Sequence, residues 1–159
     1  MIGKLTGKID SFDTDHLILD VSGVGYIVYA SSRTLASIGQ VGEVVSLLIN
    51  MQVREEMLNG HGNCHGGMIF TLADSAFAHA CNTRNHVSVA VSCQVEFLVA
   101  VTAGEILIAE AVEQFLQGKN GVYDVRVTSR DGGLVALFRG KSRAIGGVLV
   151  TEATVNTMT

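Results

Sequence analysis

His65-Gly66-Gly67-Met68-Ile69-Phe70-Thr71-Leu72-Ala73-Asp74-Ser75-Ala76-Phe77-Ala78-His79-Ala80-Cys81-Asn82 is the stretch on which the fold turns. Between residues 68 and 82, Met68, Ile69, Phe70, Leu72, Ala73, Ala76, Phe77, Ala78 and Ala80 fall on every side of a 3.6-residue repeat. A helix apolar all round is a buried one. The reading is therefore of one central helix, entered through a Gly-rich loop at 59–67 and covered by the rest of the chain.

Outward from that helix the period changes to two. Residues 87–99 alternate, with Val87, Val89, Val91, Cys93, Val95, Phe97 and Val99 expected inward. Further strands are expected at about 104–117, 121–130 and 134–146, with Asn120-Gly121 and Asp131-Gly132-Gly133 as hairpin turns. Upstream, over 44–54, Val45, Leu47, Ile49, Met51 and Val53 are apolar, whereas Ser46, Asn50, Gln52 and Arg54 are polar, so one face is buried. Strands joined by short turns favour antiparallel pairing. Such a sheet buries one face by wrapping a single apolar helix. The fold class is α+β, an antiparallel sheet around a central helix, over residues 43–148. Strand 44–54 is expected to serve that sheet, because the helix needs the cover.

Residues 1–42 read as a small β appendage. Strand patterns lie at 2–9, 16–21 and 26–30, and Leu17, Leu19 and Val21 share one face. Asp10-Ser11-Phe12-Asp13 and Gly23-Val24-Gly25 are turn-like. A short helix at 34–38 is capped by Ser31 or Ser32 and stopped by Gly39. The tail, 149–159, is rich in β-branched residues and is a candidate added strand.

Composition bounds the function. A chain of 159 residues suits one domain, or one with an appendage. Charged residues make up 16%, against about 25% in ordinary chains, and hydrophobic ones 48%, which argues against disorder. The net charge of −4 gives no pull toward phosphates, so nucleic acid is not an expected partner. Mean hydropathy is +0.38, yet no apolar run reaches the ~18 residues of a membrane span. Met1-Ile2-Gly3-Lys4 lacks a secretory apolar core, and three cysteines without a CxxC pair fit reduced thiols, so a cytoplasmic location is expected. There is no proline, where about 8 would be ordinary; nothing in the sequence explains this.

Chemistry points to the helix and its entrance. Asp74 sits among Phe70, Leu72, Ala73, Phe77 and Ala78, and burying an unpaired carboxylate costs several kcal/mol. Either something uses that charge, or Asp74 lies on a narrow exposed stripe with Thr71 and Ser75. At the helix onset, His65-Gly66-Gly67 lets a ligand approach the backbone closely and leaves N–H groups free to hold a polarised carbonyl oxygen. His61, Cys64 and His65 lie on a Gly-rich loop, not on a helix face, so no metal is expected. No GxSxG elbow and no phosphate-binding Gly loop occurs.

The stretches Met57-Leu58-Asn59-Gly60-His61-Gly62-Asn63-Cys64-His65-Gly66-Gly67 and Phe70-Thr71-Leu72-Ala73-Asp74-Ser75-Ala76-Phe77-Ala78 resemble the PaaI branch of the hotdog-fold acyl-CoA thioesterases. The likeness continues through Ala80-Cys81-Asn82, Gly121-Val122-Tyr123-Asp124-Val125, residues 134–140 and Ile145-Gly146-Gly147. It implies a hotdog fold and hydrolysis of phenylacetyl-CoA-like thioesters, with no metal and no cofactor, CoA being part of the substrate. It implies a homodimer or homotetramer whose site is shared between subunits. Gly66 would donate its backbone N–H to the thioester oxygen. Asp74 of the partner would attack the carbonyl or activate water. Asn59 would position water or substrate, and His65 would shape the helix entrance. Gly67, Ser75 and Ser92 would contribute to binding. The sequence departs from the family pattern where Phe97-Leu98 runs into Val99-Ala100 in place of Arg-Pro, and at Ser142-Arg143-Ala144, where a histidine is usual.

Residues 1–54 resemble a different family. Met1-Ile2-Gly3-Lys4-Leu5, Ile18-Leu19-Asp20-Val21-Ser22-Gly23-Val24-Gly25-Tyr26, Arg33-Thr34-Leu35-Ala36 and Val41-Gly42-Glu43 are similar to the N-terminal OB-like domain of the Holliday-junction protein RuvA. The later RuvA modules that contact DNA have no counterpart. The chain therefore resembles a chimera: a RuvA-like appendage at 1–42, a hotdog domain at 43–148 and a tail at 149–159. Three functions compete: a thioesterase; a folded chimera without turnover, artificial or selected for folding; and nucleic-acid or partner binding through the RuvA-like part, which the net charge of −4 disfavours.

Overall fold

The computed structural model describes residues 4–21, 23–30, 32–82, 84 and 86–148. In chain order the elements are β1 (Lys4–Phe12), β2 (His16–Val21), β3 (Val24–Tyr29), α1 (Ser32–Ser37), β4 (Val44–Gln52), a 3-10 turn (Glu55–Met57), α2 (Gly66–Cys81), β5 (Ser88–Phe97), β6 (Ile106–Gln117), β7 (Asn120–Ser129) and β8 (Leu134–Ala144). All strand pairs are antiparallel, in the order β3-β2-β1-β4-β6-β7-β8-β5.

The α+β reading holds: the sheet wraps α2. Ile69, Leu72, Ala73, Ala76, Phe77 and Ala80 on the helix are buried against Leu107, Ala109, Ala111, Tyr123, Val125, Val127, Ala136 and Phe138 on β6–β8. Packing is tight under Phe77. A Cβ on Gly140 of β8 would stand 2.8 Å from three of its ring carbons, so the bare glycine is what lets the helix settle there.

The helix is not covered all round. Gly67, Thr71, Ala78 and His79 are exposed, and Asp74 and Ser75 only half-buried, so one stripe has no second layer. The alternation on β5 likewise does not translate into burial. Val89 and Val91 are exposed, as are Cys93, Phe97 and Val99; Val95 packs against the core. The reason is position. β5 is an edge strand with β8 as its neighbour, and it flanks the uncovered stripe.

Strand β4 serves two sheets. Residues 44–48 ladder onto β1, from Lys4↔Leu48 to Lys8↔Val44, whereas 49–52 ladder onto β6, from Ile49↔Ala109 to Gln52↔Ile106. This corrects the expectation that it serves the wrapped sheet alone; its length lets each half hold one neighbour. Ile9, Leu17 and Leu19 form a second small core with Val21, Tyr26, Val28, Leu35 and Ile38 packed against it.

Two turns fall elsewhere than expected. β1 runs through Asp10-Ser11-Phe12 with a register shift between Ile9 and Ser11, and the chain reverses at Asp13, whose N–H donates to the His16 carbonyl. The β6–β7 hairpin turns at Gly118-Lys119, with Gly118 at φ 57°, and Asn120-Gly121 lies in the ladder. Gly121 answers to crowding: a Cβ there would stand 2.7 Å from the Tyr123 ring. The expected strand at 149–159 lies outside the described residues.

Candidate active site

The entrance to α2 is held rigidly from both sides. The N–H of Cys64 donates to the Val101 carbonyl at 2.7 Å, and that of His65 to the Met57 carbonyl at 2.8 Å. The Asn59 side chain folds the loop: its Oδ1 accepts from the N–H of His61 at 2.9 Å and of Asn63 at 3.3 Å. Asn59 therefore retains only its amide NH2 for a ligand.

His65 is the N-cap of α2, in extended conformation. Its Nδ1 accepts the Gly67 N–H at 2.9 Å, and its carbonyl accepts the Met68 N–H at 2.8 Å. An accepting Nδ1 means a neutral imidazole with the proton on Nε2. Residue types alone leave both glycine amides free. In the structure Gly67 is committed to the cap, and the Gly66 N–H has no acceptor among the described residues. One unpaired donor at a helix N-terminus is a place for a carbonyl oxygen that gains charge.

Gly66 lines a cleft of about 340 Å³ together with Asn59, Asn63, Cys64, Ile69 and residues 97–101. No charged side chain lines it. The Phe97 ring abuts the helix start: a Cβ on Gly66 would stand 3.0 Å from its Cζ. Sequence reasoning places Phe97 on an inward strand position and misses this contact. The signal is present in Phe97-Leu98-Val99-Ala100-Val101, an apolar run that breaks the alternation of β5.

Asp74 is elsewhere in the chain. Eight residues are two helical turns, about 12 Å along the axis. The carboxylate is half-buried on the uncovered stripe, with no hydrogen-bond partner among the described residues. Its charge adds to burial, the larger cause, in raising two thiols: Cys81 is pushed up to about 11, and Cys93 is also raised. Ser75 Oγ donates back to the Thr71 carbonyl at 2.8 Å, and Ser92 is exposed on β5 opposite Lys141. The structure thus brings Asn59 and Gly66 to one cleft, with His65 capping the helix next to it, and leaves Gly67, Asp74, Ser75 and Ser92 out of its lining. Among the described residues no three His, Cys, Asp or Glu side chains converge as metal ligands would. Among them, too, no helix is long and apolar enough to cross a membrane.

Residues 1–59 match the family described as RuvA N terminal domain, and residues 61–136 match the family described as Thioesterase superfamily. The acyl-coenzyme A thioesterase PaaI of Escherichia coli is 45% identical over 106 residues, which are 67% of this chain and 76% of that protein. The solved structure of the E. coli PaaI protein from the phenylacetic acid degradation operon superposes with a TM-score of 0.61 at 41% identity, covering 74% of this chain and 87% of that one. The Holliday junction branch migration complex subunit RuvA of Beijerinckia indica is 58% identical over 62 residues, 39% of this chain and 30% of that protein. The chain therefore spans less than a third of that RuvA relative. A free amide at a capped, glycine-opened helix, a sheet wrapped around that helix and this level of identity agree: the chain belongs to the PaaI family of hotdog-fold thioesterases, and carries a RuvA-like segment at its N-terminus.

Proposed function

We propose that this chain hydrolyses acyl-CoA thioesters, aryl-acyl ones of the phenylacetyl type among them, in a site shared between two copies. The observation that carries the reading is the unpaired Gly66 N–H at the mouth of an uncharged cleft. The PaaI relatives, one from a phenylacetic acid degradation operon, supply the chemical class.

The chain geometry supports the sharing. Asp74 lies two turns from Gly66, too far to act on the carbonyl that Gly66 holds. Two α2 helices packed antiparallel about a dyad beside Phe70 would set Asp74 of one copy opposite Gly66 of the other. The same packing would cover the open stripe and the apolar face of β5. The thioester oxygen accepts the Gly66 N–H. The partner carboxylate then either attacks the carbonyl carbon, expelling the CoA thiolate and leaving an anhydride for water to cleave, or takes a proton from a water that attacks instead. Both routes consume one water and release the acid and the thiol. The Asn59 NH2 orients water or substrate, and His65 holds the helix entrance by capping it.

Asp74→Asn is expected to lower phenylacetyl-CoA hydrolysis by about 10²–10⁴-fold with the fold intact; an undiminished rate would refute the role. Sharing has its own test. Gly66→Pro deletes the donor, and its ring, which would press on Phe97 beside it, disturbs only the site that has already lost its amide; the extended His65 tolerates a following proline. Asp74→Asn and Gly66→Pro chains, each inactive alone, are expected to regain activity when co-refolded, because a mixed dimer holds one complete site. A purified chain that folds but cleaves no thioester would favour the inactive chimera.

A further inference from the structure

We propose that Phe97 is the residue that selects the acyl group, its ring forming the wall on which an aromatic acyl chain lies; this rests on the thioesterase reading above. The ring is placed by its neighbours. Phe97 makes the last rung of the β5–β8 ladder, opposite Ala136, and the N–H groups of Leu98 and Val99 both donate to the Val135 carbonyl, at 2.9 and 3.3 Å. Backbone pinned in this way fixes where the side chain begins. The far end of the ring, Cζ and both Cε atoms, then lies 3.0–3.4 Å from the position a Gly66 Cβ would take. Gly66 has no Cβ, and that is what allows the ring to close on the helix start beside the Gly66 amide.

The ring is 51% exposed, so it is not core packing. Its free surface borders the cleft, whose volume of about 340 Å³ is at the small end of ligand pockets. Ile69, Val99 and Val101 continue the wall, and Asn59 and Asn63 are its polar members. With no cation in the lining, a carboxylated acyl chain finds no partner. A flat apolar ring finds an aromatic face and aliphatic sides, which is the contact aromatic pairs favour. A carbonyl held by the Gly66 amide puts the acyl substituent next to Phe97.

The test separates this inference from the hydrolase reading by measuring binding as well as turnover. The probes are phenylacetyl-CoA and acetyl-CoA. Their affinities are measured by calorimetry in the full chain carrying Asp74→Asn, with and without Phe97→Ala or Phe97→Leu. The kcat/KM ratio for the two substrates is measured in the chain with Asp74 intact. Both Phe97 variants are expected to lower the phenylacetyl-to-acetyl preference at least fivefold in binding, and in turnover where turnover occurs. A preference that moves less than fivefold with Phe97→Ala, or is restored by Phe97→Leu, overturns the inference, since bulk without a ring would then suffice. Absence of hydrolysis in the chain with Asp74 intact, with the binding preference present and Phe97-dependent, sinks the hydrolase reading and leaves this one standing. Because Phe97 ends the strand whose apolar face a second copy would cover, unchanged unfolding midpoints and an unchanged mass in solution serve as the controls for folding and assembly.

Discussion

The two halves of β4 meet two different kinds of sheet. Along 49–52 the strand joins a sheet that has α2 as a second layer, with Phe77, Tyr123, Val125 and Leu107 fully buried between them. Along 44–48 it joins a three-strand meander whose cover is the six-residue α1, none of whose residues is buried. The fully buried apolar residues of that region, among those described, are Ile9, Leu17 and Leu19. Hydrophobic stabilisation follows buried apolar area, and small sheets hold only with a packed face. The wrapped sheet can stand as a cooperative unit; the meander depends on β4 as its fourth strand. Local opening is then expected to begin at β3 and stop at β4.

The largest effects should separate the regions. Phe77→Ala removes the ring that fills the space between α2, Tyr123, Phe138 and Gly140, and is expected to cost about 3–5 kcal/mol. Leu19→Ala removes comparable bulk from the small core, but its effect should stay local. Hydrogen exchange read peptide by peptide checks this. Phe77→Ala should lower protection throughout α2 and β6–β8, and Leu19→Ala within β1–β3 alone. Equal loss across β6–β8 with Leu19→Ala would show that the RuvA-like segment and the wrapped sheet unfold as one unit.

The same contrast explains which elements the residue pattern reveals by itself. β2, the first half of β6, β7 and β8 are legible because one face is buried there, so Leu17 and Leu19, or Leu107, Ala109 and Ala111, keep a period of two. β5 and α2 mislead for the same reason. Apolar residues on both promise cover, and the cover is not supplied within one chain: Val89, Val91, Cys93 and Ala78 are left exposed. Asn120-Gly121 misleads because glycine serves crowding as well as turning, and here Tyr123 crowds it. Of the candidate site, the glycine-opened helix start is legible from residue type. That His65 commits the Gly67 amide while Gly66 stays free is cap geometry, which no spacing encodes. The separation of Asp74 from Gly66 can be counted along the chain as two turns.

Two glycines make a second, smaller comparison. Gly140→Ala would push against the Phe77 ring, which is fully buried against Tyr123 and Phe138, and is expected to cost about 1–3 kcal/mol of global stability. Gly7→Ala would meet the Asp20 carbonyl oxygen and the Leu19 and Val21 side chains, where the obstruction includes backbone. It is expected to peel β1 from β2 and to leave the hydrolysis rate unchanged, because Gly7 is remote from the cleft. A fall in rate with Gly7→Ala would mean that β4 transmits strain from one sheet to the other.

The smallest effect expected is electrostatic and belongs to the wrapped sheet. Arg84 grips Glu113 of β6 with two guanidinium nitrogens, at 2.5 and 3.0 Å, and the Tyr123 hydroxyl donates to the same carboxylate at 3.0 Å. These bonds, that from Arg84 first, hold Glu113 below the usual glutamate range. Burial and the Glu113 contact push the Tyr123 phenol up to about 12, so it remains a donor through alkaline pH. A carboxylate with a depressed folded-state pKa stabilises the fold above its unfolded value, near 4.5, and that contribution disappears as pH falls through the lower folded value. The Arg84 side chain is 54% exposed, so solvent screens the pair and its worth is about 1 kcal/mol or less. Glu113→Gln should therefore lower the unfolding midpoint slightly at pH 7, with the difference from the unaltered chain shrinking below pH 4.5 and vanishing in stronger acid. Asp13, at the β1–β2 turn, is also held low, by the Thr14 amide and hydroxyl, but its side chain is exposed. Asp13→Asn should leave the midpoint of the wrapped sheet unmoved at every pH. A midpoint shift with Asp13→Asn as large as that with Glu113→Gln would mean that acid acts on both regions alike and that their stabilities are coupled through β4.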